Sequence, residues 1–252
     1  MHCSWTSLSE APPLNSNEVH VWKINVLRSS TAIEYLKSTL SRFELERATR
    51  LHWEHDRRRY VVAHGTLRKI LGAYLQTPPE DLQFCRSAKG KPALSGEWAA
   101  SGLRFNLSHS RDLALLAITR FLEVGVDIEH IRALPEAERI AGRFFCPEER
   151  EALASIPESS RTNVLFRYWT RKEALLKACG EGLFQRIDTW SVAHVESAQT
   201  FDMINDTGQS VLWELTDLHP SMGYVGAVAV EGKGCILTCL EQAQVHFNVL
   251  LI

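Results

Sequence analysis

The sequence predicts an α+β chain folded as two similar α/β lobes related by a pseudo-two-fold. Three observations lead there. Segments with apolar period 3.6 and segments with apolar period 2 occur as helix followed by short strands, twice over. The stretch from His109 to Ala117 aligns without a gap on His219 to Ala227, a weak identity with a matching pattern of elements on both sides. Between the two repeats, near residues 120–124, the chain has room for a junction.

The elements follow in order. Residues 1–18 are polar around Pro12-Pro13 and form a lead-in. Val19 to Val26 alternates as a strand. Leu40 to Leu51 and Asp56 to Leu75 carry helical periodicity, the second closed by Thr77-Pro78-Pro79. Leu82–Arg86, Leu103–Leu107 and Leu113–Thr119 are strands, as is Val124–Glu129. Glu136 to Phe145 is a helix, and Pro147 opens another that ends near Ile156-Pro157. Asn163 to Cys179 is a long helix closed by Gly180. Thr189–His194, Val211–Leu215, Gly223–Val230 and Ile236–Leu240 complete the strands. The division is therefore a lead-in at 1–18, an N-terminal lobe at 19–122 and a C-terminal lobe at 123–252. A ligand site is expected at the lobe interface.

Composition narrows the function. With 252 residues, 45% hydrophobic and 23% charged, the chain is ordinary for a globular protein. A formal net charge of −2 opposes a broad nucleic-acid interface and leaves room for a local basic pocket. The six cysteines form no CxxC pair, so no disulfide framework is expected and a cytoplasmic, reducing setting is. His52-x-x-His55 has no cysteine pair beside it and is read as ordinary helix or surface histidine. No apolar run approaches the ~20 residues of a membrane helix, and the N-terminus has no secretory pattern.

The most informative stretch is Gly125-Val126-Asp127-Ile128-Glu129. In a strand, residues two apart point to one side, so Asp127 and Glu129 share a face while Val126 and Ile128 take the other. A solvated edge would explain such a pair, but the flanking residues are all apolar. A third acid, Glu173, falls inside the apolar stripe of Leu165, Phe166, Trp169 and Leu176 on the long helix. Either Lys177 one turn on neutralises it, or it joins Asp127 and Glu129 on a hard divalent cation holding a phosphorylated ligand.

Other motifs admit two readings each. Gly90-Lys91-Pro92 is a hairpin turn by composition, or a rigid mount for an ammonium facing phosphate, with Arg86 and Lys89 just before it. Phe105-Asn106-Leu107-Ser108-His109-Ser110 is a polar turn or a donor cluster for an anion; without a G-x-S-x-G elbow it is not a hydrolase nucleophile. Arg47, Arg50, Arg57, Arg58, Arg59, Arg68 and Lys69 make the first lobe's helices basic, which solvation alone explains for most of them. Glu148 and Glu149 follow Pro147 at a helix start, where capping and the helix dipole account for acids without any chemistry.

Together these segments resemble the 4′-phosphopantetheinyl transferases of the surfactin-synthetase-activating type. The motifs are Gly90-Lys91-Pro92, Phe105 to Ser110, Gly125 to Glu129, Phe144-Phe145-x-x-x-Glu149 and Trp169-x-x-Lys172-Glu173-Ala174-x-x-Lys177. They stand in the family's order from about Arg47 to Gly182. The Trp-x-x-Lys-Glu-Ala form, with Glu18 to Trp22 and Arg57 to Tyr60, is most similar to the cyanobacterial and related bacterial branch.

The resemblance implies the two-lobed fold of that family. It implies transfer of the 4′-phosphopantetheine arm of coenzyme A to a serine of an apo acyl or peptidyl carrier protein, with Mg²⁺ and release of 3′,5′-ADP. By motif position Asp127, Glu129 and Glu173 are the Mg²⁺ ligands. Arg47, Arg86, Lys89, Gly90, Lys91, Pro92, Ser108 and His109 meet the coenzyme A phosphates, and Lys172 and Lys177 flank the pyrophosphate. Glu149, or a metal-bound water, takes the serine proton, with Lys177 and His109 stabilising charge. Glu44 stands where some relatives have lysine near the 3′-phosphate, and Tyr60 where some have threonine; Arg47 is expected to keep that contact. A monomer is expected, since one chain supplies both lobes, with no nucleic-acid or membrane partner. Two alternatives stay open: a Mg²⁺-dependent phosphohydrolase needing no carrier, and a coenzyme A-binding module without chemistry.

Overall fold

The computed structural model describes residues 4–86, 90–180, 187–188, 190–193, 198–204 and 209–242. The first half contains β1 (Thr6–Leu8), β2 (Glu18–Asn25), α1 (Ser30–Ser38), α2 (Arg42–Thr49) and α3 (Glu54–Leu75). It continues through β3 (Phe84–Arg86), β4 (Pro92–Leu94), a 3-10 turn at Gly96–Ser101, β5 (Leu103–Ser110) and β6 (Leu113–Arg120). The second half contains β7 (Val124–His130), α4 (Ala137–Phe144), α5 (Pro147–Ser155), α6 (Glu158–Cys179), β8 (Ala198–Ile204), β9 (Ser210–Leu218), β10 (Tyr224–Glu231) and β11 (Ile236–Gln242).

Two large sheets form among the described residues, in the orders β1-β11-β2-β6-β5 and β7-β10-β9-β8, and β3 pairs with β4 in a separate two-stranded ribbon. Each large sheet repeats one plan. A first strand (β2 or β7) is followed by helices and then by an antiparallel hairpin (β5-β6 or β9-β10), whose second strand returns to pair with the first. The aligned stretches His109–Ala117 and His219–Ala227 are the two hairpin turns, so the weak identity marks a true structural repeat. The long helices α3 and α6 each have 22 residues.

The plan departs from the expected lobes at both ends. Thr6–Leu8, in the expected lead-in, is a strand parallel to β11. Residues 236–242 lie in the expected C-terminal lobe, yet β11 pairs parallel with β2 in the first sheet, Cys239 opposite Val21. Apolar alternation predicts a strand there but cannot name its neighbour. Helix α6 starts at Glu158, ahead of the expected Asn163, because its first turn is polar and shows no apolar face. Trp190–Ala193 is not a strand; its backbone carbonyls are taken by side chains of α6, as described below. Thr189 and His194 lie outside the described residues.

Apolar packing occurs in three clusters. Helices α1–α3 cover one face of the first sheet and α4–α6 one face of the second. The third cluster lies between the sheets, where Val21, Leu115 and Ala117 meet Val126, Ile128 and Val228. Burying both faces of β7 explains its run of apolar residues around the two acids. Among the described residues no helix is long and apolar enough to cross a membrane. Cys85, Cys146 and Cys235 are free thiols; Cys239 is disulfide-bonded, where no disulfide framework was expected.

Candidate active site

Strands β5 and β7 are edge strands of the two sheets and run side by side. No backbone ladder joins them; polar side chains do. Asn106 Oδ1 accepts from Val126 N at 3.0 Å, and Ser110 Oγ accepts from His130 N at 3.1 Å. Ser110 Oγ donates to Glu129 Oε2 at 2.8 Å, and Ser108 Oγ donates to Asp127 Oδ1 at 2.7 Å. Asn106, Ser108 and Ser110 are two apart, so one face of β5 stitches the seam. Asn106 and Ser110 were not assigned a site role from sequence. The available signal was polar period-two alternation in an otherwise apolar strand.

Helix α6 brings the third acid. It lies directly on β7 because position 125 is glycine: a Cβ there would come within 2.1 Å of Ala174 O and 2.3 Å of Ala178 N. That close approach delivers Glu173 and Lys177 to the seam. Lys177 Nζ donates to Asp127 Oδ1 at 2.6 Å and to Ser108 Oγ at 3.0 Å. Asp127 is 4% exposed, and its Oδ2 has no hydrogen-bond partner among the described residues.

The proton affinities reflect this crowding. Burial, then the charge of Asp127, raises Glu173 to about 7; Lys177 opposes the shift and Glu129 adds to it. Burial also raises Glu129, against its bond from Ser110 and with repulsion from Asp127. The choice left open for Glu173 is thereby narrowed. Lys177 pairs with Asp127, and among the described residues Glu173 makes no hydrogen bond or ion pair.

The donor set suits a hard divalent cation: three carboxylates, one with a buried orphan oxygen, two with raised proton affinity. As arranged, no group of three metal-ligating side chains among the described residues closes around an ion. Lys177 is the counter-charge of Asp127.

A cavity of about 780 Å³ opens in the first half, and Asn106 and Leu107 of β5 line it, directly before Ser108. Arg47, Arg86 and exposed Phe43 line both this cavity and a smaller one of about 440 Å³. Tyr60 and His64 stack in the wall with ring centres 4.0 Å apart. Burial lowers His64 to about 4, with Arg47, His109 and Arg68 adding to the shift and Glu44 opposing it. His109, at the exposed end of β5, is near enough to act on it.

Glu44 is engaged elsewhere. Arg68, 1% exposed, donates from Nε at 2.9 Å and from Nη2 at 2.7 Å to its Oε2, and Ser41 caps α2 through the same carboxylate. Burial alone would raise Glu44, but Arg68 and Ser41 hold it below its ordinary value. It is a fastening between α2 and α3 where a lysine was noted as the alternative.

The turn at Gly90-Lys91-Pro92 is partly internal. Gly90 has φ of 76° and its carbonyl accepts from Arg86 at 2.7 Å. Lys91 Nζ donates to Glu123 Oε2 and to Val124 O, both at 2.7 Å. Pro92 starts β4. Lys89 lies outside the described residues.

Glu149 and Lys172 lie away from the seam. Both are 0% exposed. Glu149 Oε2 accepts from Cys146 N at 2.9 Å and from Lys172 Nζ at 2.8 Å; Oε1 accepts from Val192 N at 2.8 Å. Lys172 also donates to Ile187 O and to Trp190 O. The pair is sealed and satisfied on the core side of α6, while Glu173 and Lys177 face β7. The expected base and the expected pyrophosphate contact are not brought to the seam.

Comparison with known proteins finds a match of residues 123–229 to the 4′-phosphopantetheinyl transferase superfamily and of residues 28–120 to the 4′-phosphopantetheinyl transferase N-terminal family. The sequence is similar to 4′-phosphopantetheinyl transferase HetI of Nostoc sp., 40% identical over 231 residues that cover 91% of this chain and 95% of the relative. It is also similar to 4′-phosphopantetheinyl transferase psf-1 of Bacillus pumilus, 31% identical over 212 residues, 82% of this chain and 88% of that one.

Proposed function

This chain belongs to the 4′-phosphopantetheinyl transferase superfamily and transfers phosphopantetheine to carrier proteins; we propose that coenzyme A is the donor, that Mg²⁺ is required, and that 3′,5′-ADP leaves. The single observation that carries the reading is the cluster of Asp127, Glu129, Glu173 and Lys177 at the seam, one strand residue from an arginine-lined cavity.

In this reading Asp127, Glu129 and Glu173 hold the metal. The orphan Oδ2 of Asp127 and the raised proton affinities of the two glutamates support it. When bound, Mg²⁺ offsets the charge of the pyrophosphate and of the leaving group. Lys177, whose ammonium lies on Asp127 at the seam, would reach the pyrophosphate from there. Ser108, which bonds both, keeps the two in register. Arg47 and Arg86 bind phosphate at the cavity, with Lys91 and His109 along the path to the seam. The carrier serine oxygen attacks the β-phosphorus, its proton passes to water, and the bond to 3′,5′-ADP breaks with that bisphosphate leaving as the anion. No covalent enzyme intermediate forms.

The same reading divides the chain near residue 122 into two lobes, with β11 returned to the first. It takes the chain as a cytoplasmic monomer that supplies both sides of its own seam.

Intact mass spectrometry tests this. An apo acyl or peptidyl carrier incubated with the protein, coenzyme A and Mg²⁺ gains one phosphopantetheine arm, and EDTA prevents the gain. Coenzyme A consumed with no carrier modified overturns the transfer chemistry in favour of hydrolysis. Coenzyme A bound and unchanged overturns it in favour of a binding module.

A further inference from the structure

We propose that Glu149 is a positioning residue: through Lys172 it fixes helix α6 so that Glu173 and Lys177 meet Asp127, and it does not accept the serine proton. The inference rests on the transferase reading above and concerns what Glu149 does within it.

A general base must reach the proton it removes, directly or through one water. Glu149 has no exposed surface, and both its oxygens are occupied by the chain's own donors, Cys146 N, Lys172 Nζ and Val192 N. A lysine ammonium has three protons, and those of Lys172 go to Glu149, Ile187 O and Trp190 O. The charge also sits 4.7 Å from the Trp190 ring centre. Lys172 has no proton left for a substrate, and Glu149, 0% exposed, has no surface open to one.

What the pair touches indicates its task. Glu149 is the third residue of α5 and closes a capping box with Cys146. Lys172 is in the middle of α6, and residues 187–192 follow α6 in the chain. Next to Lys172, Arg171 donates to Val192 O at 2.7 Å and grips Asp217 of β9 through Nε at 2.8 Å and Nη2 at 2.7 Å. One side of α6 is thereby bolted to α5, to Ile187, Trp190 and Val192, and to the second sheet. The other side rests on Gly125 with no space to spare. A residue of helix turns about 100° and rises about 1.5 Å, so rotation of α6 about its axis moves Glu173 and Lys177 directly. A buried ion pair with every bond made is costly to break on one side and tolerant of joint replacement.

Three proteins test the proposal: wild type, Glu149→Gln, and the double variant Glu149→Gln with Lys172→Met. Wild-type carrier loading is the baseline; its failure overturns the transferase reading and leaves the variant comparison to Mg²⁺ binding. Two quantities are read well below each Tm. One is Mg²⁺ affinity by calorimetry with coenzyme A present; the other is the pH dependence of carrier-loading kcat.

Positioning predicts a several-fold weaker Mg²⁺ affinity in Glu149→Gln, partial recovery in the double variant, and an acid limb of the pH profile unchanged from wild type. A base role predicts a loss of about 100-fold or more in kcat, loss of the acid limb, no recovery in the double variant and wild-type Mg²⁺ affinity. That set overturns the proposal. So does a lowered Tm with Mg²⁺ affinity and kcat unchanged, which makes the pair a fold fastening alone. If Glu149→Gln does not fold, the double variant carries the same comparison, since it leaves no charge unpaired.

Discussion

Lys177 sets its ammonium 2.6 Å from Asp127 Oδ1 on the neighbouring strand, not on Glu173 one turn earlier in its own helix. A lysine that served only to neutralise Glu173 would take the i, i+4 geometry. Crossing to β7 instead ties the helix to the seam and leaves Glu173 exposed to the repulsion of two other acids.

Replacing Lys177 tests that tie. Lys177→Ala is expected to lower kcat/KM for carrier loading by about 100-fold, the scale of losing a charged donor to a developing anion. Its stability cost is smaller, about 1–2 kcal/mol, since the lysine is partly exposed and Asp127 keeps its bond from Ser108. Steady-state kinetics beside urea unfolding separate the two. A variant that loses only stability returns Lys177 to a packing role.

Asp127→Ala should leave the fold intact and reduce Mg²⁺-dependent transfer by about 1,000-fold. The carboxylate fills no apolar gap, and its Oδ2 bonds to nothing among the described residues. Raising Mg²⁺ should not restore the rate, whereas in the wild type EDTA should abolish transfer and added Mg²⁺ should restore it. Wild-type turnover in the variant defeats the metal assignment.

Gly125→Ala should be among the most damaging single-methyl additions in the chain. The new Cβ meets backbone at 2.1 and 2.3 Å, which no rotamer change can relieve. Helix α6 must lift from β7, at about 2–3 kcal/mol or more, and Lys177 must lengthen its reach to Asp127. Denaturation and carrier loading should fall together; a variant with wild-type Tm contradicts the contact.

Acid should weaken the first half before the second. His64 titrates at about 4 in the folded chain because burial disfavours its cation, against about 6.5 when unfolded. Between those values the unfolded chain binds a proton that the folded chain refuses, so stability rises with pH across that window and is lost as pH falls. Glu44 and Asp217, both held below their ordinary values by arginines, contribute their losses only further into acid. Glu173, raised to about 7, acts in the opposite sense over the same window, so the His64 contribution is read as a difference: urea unfolding at pH 7, 5.5 and 4.5 should show the wild type losing stability relative to His64→Gln as pH falls.

Much of the site could be read from residue spacing alone. Asp127 and Glu129 were placed by period two, Glu173 by its position inside an apolar helical stripe, and the two-lobe plan by the hairpin repeat. What spacing does not encode is which way a neighbour turns. Lys172 and Glu173 are adjacent in a shared motif, yet 100° of helix rotation sends one to the core and the other to the seam. Glu149 carried its plain explanation in sequence, a carboxylate three residues into a helix behind Cys146-Pro147, and capping is what it does. The partner of β11 was hidden because strand pairing is decided between distant segments, and an apolar run fits any open edge.

That last pairing has a consequence for how the protein is made. Val21 leaves the ribosome well before its parallel neighbour Cys239, with most of the described chain between them. Until then one flank of β2 has open backbone donors and acceptors, a template for joining another nascent chain. The first half is thus not a piece that can be expressed alone and expected to stay dispersed. A truncation ending before residue 236 should aggregate, and supplying the strand 236–242 in trans, as a fusion ahead of β1 or as a peptide, should rescue it.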